Sequence, residues 1–464
     1  MARFERDGQF VEVWVERRDE RADRGYVWPE LRSRSGRVGA PEAPEVVTLE
    51  RRFEWSARGD YRQFQSARLR EGWRRVRDPD REPAFDEPIE PALDAALRAN
   101  PSDAAAALVY ADWLQHRGHP RGELIAIQHE RIERPDDLAL AAAEQHVLET
   151  HADVLWAHAR APDAHKNEGG VEVTWERGFI RRARILGFHD DGASEDLLWE
   201  LLRHPSARFL RELELGCHHA GDQNNELMSD LLVRAGPTPP LRSLVLADFD
   251  DSEIDNIDIS RAPLGDLTGL GERYPELESV TLKGTGDVVL GDLRLPRARR
   301  FALRTSTLER TTLAAIVRAP WPALEELELW FGDPLRGYGA DCELADVEPL
   351  FQCALPKLRT LSLRNAMFSD EIVPAILAWP GAAQLERLDF ALGTLSDAGA
   401  DALIAGRAAL RALAHVGVFE CALSTAGLQR LRAAFPDVDD RAITPAHAWR
   451  EPRQKPARYV SVSE

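Results

Sequence analysis

Residues 324–331 read LEELELWF: leucines at the first, fourth and sixth places, acids between them, then two adjacent aromatics where a strand should be ending. The spacing recurs along the last two-thirds of the chain. Allowing other apolar residues, it starts at Leu210 (LRELEL), Leu241 (LRSLVL), Leu277 (LESVTL), Ala298 (ARRFAL), Leu324 (LEELEL), Leu358 (LRTLSL) and Leu385 (LERLDF). Degenerate copies begin at Ile180 (IRRARI) and Leu413 (LAHVGV), and successive starts differ by 30, 31, 36, 21, 26, 34, 27 and 28 residues. Alternate apolar residues over six places describe a short strand with one face in a core.

Self-similarity of this length and period is the signature of a leucine-rich repeat, in which each strand is followed by a return segment that stacks on its neighbours. The segments FSDEIVPAILAW, LSDAGADALIAG and LSTAGLQRLRAAF each place Ser before apolar residues at helical spacing, which predicts N-capped helices. The SDAGADAL stretch resembles the ribonuclease-inhibitor class of these repeats. The predicted fold class is therefore α/β: a solenoid of parallel strands with helices on its convex side over 170–438, and a capping or disordered tail over 439–464. Long loops are expected over 248–276 and 332–356.

Two further segments precede the repeats. Residues 93–130, LDAALRANPSDAAAALVYADWLQHRGHPRGELIAIQHE, predict two or three short helices broken at HRGHPRGE, where Gly and Pro punctuate the chain. Through NPSD, LVYADWL and PRGELIAIQ this stretch resembles the repeat-companion domain found beside leucine-rich repeats in certain bacteria. The resemblance implies a helical adaptor module, placed at 90–165, with WERGFI (175–180) as the entry into the array. The first 85 residues, with the alternating FVEVWVE and with LRSRSGRVGA, resemble a WGR domain, an antiparallel β-rich module of poly(ADP-ribose) polymerases and some bacterial proteins. That family's Trp-Gly-Arg turn helps to hold DNA ends or a neighbouring catalytic domain. Gly36, Arg37 and Gly39 match the motif and Ser35 stands at its Trp position. The resemblance implies nucleic-acid contact through Arg32, Arg34 and Arg37; the alternative is that these are solvated strand charges.

Charge confines that possibility to the front of the chain. The 464 residues carry 59 Lys+Arg against 78 Asp+Glu, a net charge of −19, which disfavours phosphate binding by the whole protein. Residues 1–80 hold 18 Arg, no Lys and 16 acids, so that segment stands near +2 and the remainder near −21. No apolar run has the roughly 20 residues needed to cross a bilayer, and MARFERDGQF lacks the apolar centre of a signal peptide. A cytoplasmic protein without a membrane partner is expected.

No catalytic residues, metal or cofactor are expected. The four cysteines are scattered without a CxxC pair. GCHHAGD (216–222) brings Cys217, His218, His219 and Asp222 together, but adjacent His side chains on a loop seldom converge, and loop polarity is the preferred reading. His116 and His119 read as helix-end residues. Neither a GxxxxGK[ST] loop nor a GxSxG elbow is present, and no segment reads as a polymerase domain.

The expected working surface is the strand face turned away from the core. Strand alternation exposes Arg300, Ala302 and Arg304 in one unit, Glu326, Glu328 and Trp330 in the next, and Thr360, Ser362 and Arg364 in the third. Arg300 should then lie beside Glu326, and Trp330 between Arg304 and Arg364, with Phe331 turned under the following loop. Either these residues satisfy one another, or they anchor a protein partner, since Trp and Arg are enriched at binding hot spots.

Overall fold

The computed structural model describes residues 2–17, 29–37, 46–49, 64–65, 67–68, 71, 73–76, 85, 87–156, 170–186, 193–216, 225–234, 236–248, 259, 262–334 and 339–440. The chain divides into two compact units, Met1–Leu241 and Arg242–Glu464. Residues 217–222 beyond Gly216, which hold the cysteine–histidine cluster, and the tail from 441 lie outside the described residues.

The first unit opens with an antiparallel sheet of β1 (Ala2–Arg6), β2 (Gln9–Arg17), β3 (Pro29–Arg37), β4 (Val46–Leu49) and β5 (Arg74–Val76), in the order β4-β3-β2-β1-β5. Asp7 and Gly8 close the β1–β2 hairpin with positive φ, as tight hairpin turns require. Phe4, Val11 and Val13 share one face and are buried.

Helices follow: α1 (Pro91–Ala99), α2 (Ala104–Gln115), α3 (Pro120–Glu133), α4 (Leu138–Thr150) and the single turn α5 (Ala152–Leu155). The helical segment is longer than the two or three helices expected, and its break falls at 116–119, as Gly and Pro predict. His116 caps the C-terminus of α2, and the His119 ring accepts from the Arg121 N–H at the start of α3. WERGFI is a hairpin: β6 (Gly170–Glu176) turns at Arg177 and Gly178 into β7 (Phe179–Leu186). Then come α6 (Ala193–Arg203), β8 (Glu212–Gly216), parallel to β7, and α7 (Glu226–Arg234).

The helices and the hairpin share one core, in which Leu97, Tyr110, Ala111, Leu114 and Ile125 pack with Phe179 and Phe209. Two side chains of α3 clamp the hairpin turn from both sides of one residue. Arg121 donates to the Gly178 carbonyl, and the Gln128 side-chain oxygen accepts from the Gly178 N–H at 2.6 Å. They stand seven residues apart, which is two helical turns, so both reach the same side. Gly178 has φ +79 and a Cβ there would meet Ile125 Cγ1 at 2.4 Å, which is why the turn needs glycine.

Arg121 has no exposed surface. Its guanidinium makes two bonds to Glu87, donates to Ser206 Oγ at 2.9 Å and lies over the Phe179 ring at 4.8 Å. Arg208 donates to the same carboxylate at 3.3 Å and to the Tyr110 hydroxyl at 2.8 Å. Burial alone would raise Glu87, but Arg121 and Arg208 outweigh it and hold the carboxyl below its ordinary range.

The second unit is a sheet of eight parallel strands in chain order: β9 (Ser243–Asp248), β10 (Ser279–Lys283), β11 (Arg300–Arg304), β12 (Glu326–Gly332), β13 (Thr360–Ala366), β14 (Arg387–Asp389), β15 (His415–Gly417) and β16 (Asp437–Asp439). Ser243 pairs with Ser279, Arg300 with Glu326, Glu326 with Thr360, Thr360 with Arg387 and Arg387 with His415. Those pairings reproduce the sequence spacings, so each apolar pattern is one strand of a repeat-type fold. β16, in FPDVDD, is a further strand beyond the last pattern. The longer returns carry α8 (Leu270–Arg273), α9 (Arg310–Arg318), α10 (Leu344–Val347), α11 (Ser369–Ala378), α12 (Asp397–Ala405) and α13 (Thr425–Ala434).

The predicted serine caps hold for two of three helices. Ser396 and Ser424 cap α12 and α13, whereas Ser369 is the first residue of α11 and its hydroxyl donates to the Ala366 carbonyl. The aspartates beside these serines stitch successive returns together. Asp370 accepts from the Ser396 N–H at 2.8 Å and hydroxyl at 2.6 Å, and Asp397 accepts in the same way from Ser424.

Candidate functional site

Core residues fix which side chains face outward from the second unit's strands. Leu327, Leu329 and Phe331 of β12 are buried, and Phe331 meets Phe368 edge-on at 5.2 Å. Glu326, Glu328 and Trp330 therefore face the other way, as alternation demands.

The sheet brings the predicted residues into one polar network across four strands. Arg300 lies beside Glu326 in register, with ion pairs to Glu326 at 3.6 Å and to Glu328 at 3.9 Å. Arg304 grips the Glu328 carboxylate with two bonds of 3.0 and 3.1 Å. The Trp330 indole N–H donates to Glu328 at 2.8 Å, and the Arg364 guanidinium stands 5.7 Å from the indole. Arg364 continues the network to Asp389 at 2.9 Å. Gly417 gives Asp389 room, since a Cβ there would lie 2.5 Å from the carboxylate carbon.

Trp330 was expected to have an arginine on each side. Arg364 takes one of those places, but the Arg304 guanidinium is committed to Glu328, two residues earlier on the same face. A forked, charge-assisted pair is worth more than the about 0.5–1 kcal/mol of an exposed cation–π contact, so the carboxylate wins.

Glu328 is the node. Burial opposes its ionisation, yet Arg304, the Trp330 N–H and Arg364 together hold its carboxyl below the usual glutamate range. A group depressed in the folded state contributes stability that is present above the unfolded value of 4.5 and is lost as pH falls through the native one. Glu87 in the first unit obeys the same sign. Urea midpoints should therefore fall below about pH 4.5, and Glu328→Gln should flatten that loss. An unchanged acid limb in the variant would show that Glu328 does not carry it.

One row escaped the sequence reading. The residue directly after the first apolar position alternates in charge along the array: Arg242, Glu278, Arg299, Glu325, Arg359, Glu386. Each backbone N–H from Glu278 onward donates to the carbonyl of the preceding member, and the side chains pair as Arg242–Glu278 at 3.3 Å, Arg299–Glu325 at 2.7 Å and Arg359–Glu386. Opposite charges on adjacent strands add about 0.2–1 kcal/mol each and discourage a slipped pairing. The alternation was visible in the sequence at fixed offset from each leucine.

In the first unit, β3 is fully paired with β2, so its residues alternate between faces. Arg32 and Arg34 lie on one face and Arg37 on the other. Arg34 and Arg3 both bond Glu12, which is only 3% exposed, and they stack near Trp14 at 5.8 Å and Phe10 at 4.6 Å. The three arginines proposed to meet phosphate thus do not converge. Among the described residues no group of His, Cys, Asp and Glu is arranged to hold a metal ion. Cys342 and Cys421 are pushed up by burial, Cys421 to about 12, which makes a reactive thiolate unfavourable. No helix among the described residues is long and apolar enough to cross a membrane.

No family model matches the chain, and no curated protein matches it at a significant level. A crystal structure of a Bacteroides fragilis protein, determined as a structural genomics target, is similar over 96% of this chain and 98% of that one, with 16% identity and a TM-score of 0.48.

Proposed function

We propose that the chain is a non-catalytic, cytoplasmic interaction protein, in which a leucine-rich repeat solenoid binds another protein through its outward strand face. The observation that supports this most is the state of Trp330. It is half-buried on that face, its N–H is held by Glu328, and Arg364 stands against its ring. A large aromatic fixed before binding loses little side-chain freedom on association, and Trp with Arg is the usual make-up of a hot spot. The helical segment with its NPSD and PRGE elements fits a repeat-companion module fastened to the β6–β7 hairpin.

Trp330→Ala tests the reading. The variant should keep the thermal midpoint within a few degrees and lose most capture of the co-purifying partner, by on the order of 2 kcal/mol or more of affinity. Recovery of the same proteins at the same level would remove the anchor.

A second reading has support from the stacks of Arg3 on Phe10 and Arg34 near Trp14. A WGR-like module of this kind would contact nucleic acid through that face. Absence of duplex DNA binding at low salt, where counterion release favours it most, would sink it.

A further inference from the structure

Beyond Trp330, the same face carries a guanidinium that the network leaves unused. Arg387 on β14 is exposed, and among the described residues its side chain makes no hydrogen bond or ion pair, unlike Arg300, Arg304 and Arg364. The acids nearest to it in sequence and register are occupied. Glu386 is paired with Arg359, and Asp389 is held by Arg364 and the Ala391 N–H. Asp437 is bonded to His415 Nδ1 at 2.7 Å.

Register places Arg387 between Thr360 and His415 on one row of three parallel strands, with neighbours about 4.8 Å apart. His415 is buried with Asp437 on its Nδ1 side, so its ring orientation is set. Asp437 occupies the Nδ1 side, which leaves Nε2 as the ring position turned away from it. The row thus offers a hydroxyl, a planar guanidinium fork and an oriented imidazole, all on the outward face.

We infer that the Thr360–Arg387–His415 row is a subsite for a carboxylate side chain of the protein partner. The inference rests on the strand face being a protein-binding surface, and it adds the chemistry that the partner must present there. A single free guanidinium matches the two oxygens of a carboxylate. A phosphate dianion would set two charges against one guanidinium with Glu386, Asp389 and Asp437 close by, whereas a carboxylate side chain brings one.

The test uses the full chain labelled with 15N-histidine at low salt, titrated with hexaglutamate, with His415→Gln identifying the His415 ring signals. Hexaglutamate should move those signals, and Arg387→Gln, a change at an exposed position, should weaken the response about tenfold, as expected for a charged hydrogen-bonding pair. Added salt should weaken it further. Unmoved signals, an equal response in Arg387→Gln, or a stronger response to inorganic phosphate than to hexaglutamate would each overturn the carboxylate assignment. Failure here leaves the Trp330 capture result untouched, so the two readings fail separately.

Discussion

Arg121→Ala should destabilise the first unit by about 3–5 kcal/mol, the range for removing one partner of a buried ion pair. The side chain is fully buried, and its loss leaves Glu87, which is 4% exposed in its side chain, with only the longer 3.3 Å bond from Arg208. It also frees the Gly178 carbonyl and the Ser206 hydroxyl, so four bonds disappear at one site. Urea unfolding supplies the overall change, and hydrogen exchange at the amides of α3 and at Gly178 reads it locally. Charge alone is not the point. Replacing both partners with apolar residues, as in Arg121→Met with Glu87→Leu, should recover part of the loss, because the carboxylate is gone and Arg208 keeps Asp94 and the Tyr110 hydroxyl. A loss below about 1 kcal/mol in Arg121→Ala, within the scatter of ordinary surface changes, would show that the pair does not join helices to hairpin.

Gly332→Ala is the second large effect. Gly332 follows the aromatic pair, has φ +113, and a Cβ there would lie 1.8 Å from the Ser306 carbonyl oxygen. The obstacle is backbone, bridged to this strand through Thr307 and Gly332, so it cannot swing aside. Left-handed strain and overpacking together should cost about 3 kcal/mol. Gly339 supplies the control. It has φ +111 but its nearest neighbours are 4.0 Å away, so Gly339→Ala should show the backbone strain without the clash. Thermal unfolding of both variants separates the two contributions, and equal losses would mean that the close approach to Ser306 is not rigid.

The stretch at 324–331 shows how much of this was legible. Period-2 alternation of leucine with polar residues determined the strands, their inward faces and, through the spacing of successive copies, the register of parallel neighbours. It also determined that Glu326, Glu328 and Trp330 face outward, because a one-residue slip would bury all three. The alternating arginine and glutamate row was equally legible, since both neighbours sit at a fixed offset from a leucine. Which partner each charge takes was not. Arg304 prefers Glu328 to the indole because a carboxylate two residues away offers two directed bonds, and only side-chain geometry decides that competition. Among the described residues Arg387 remains unpaired for the same reason: its nearby acids are claimed by Arg359, Arg364 and His415.

Further from the repeats the sequence determined less. HRGHPRGE marks a break between helices, and WERGFI resembles the entry into the array. Nothing local says that Arg121 must be buried against Glu87, Gly178 and Ser206, which lie 34, 57 and 85 residues away. Local pattern sets elements and faces, because backbone geometry repeats every two or 3.6 residues. Buried charge partners are set by which elements meet, and only the tertiary structure decides that.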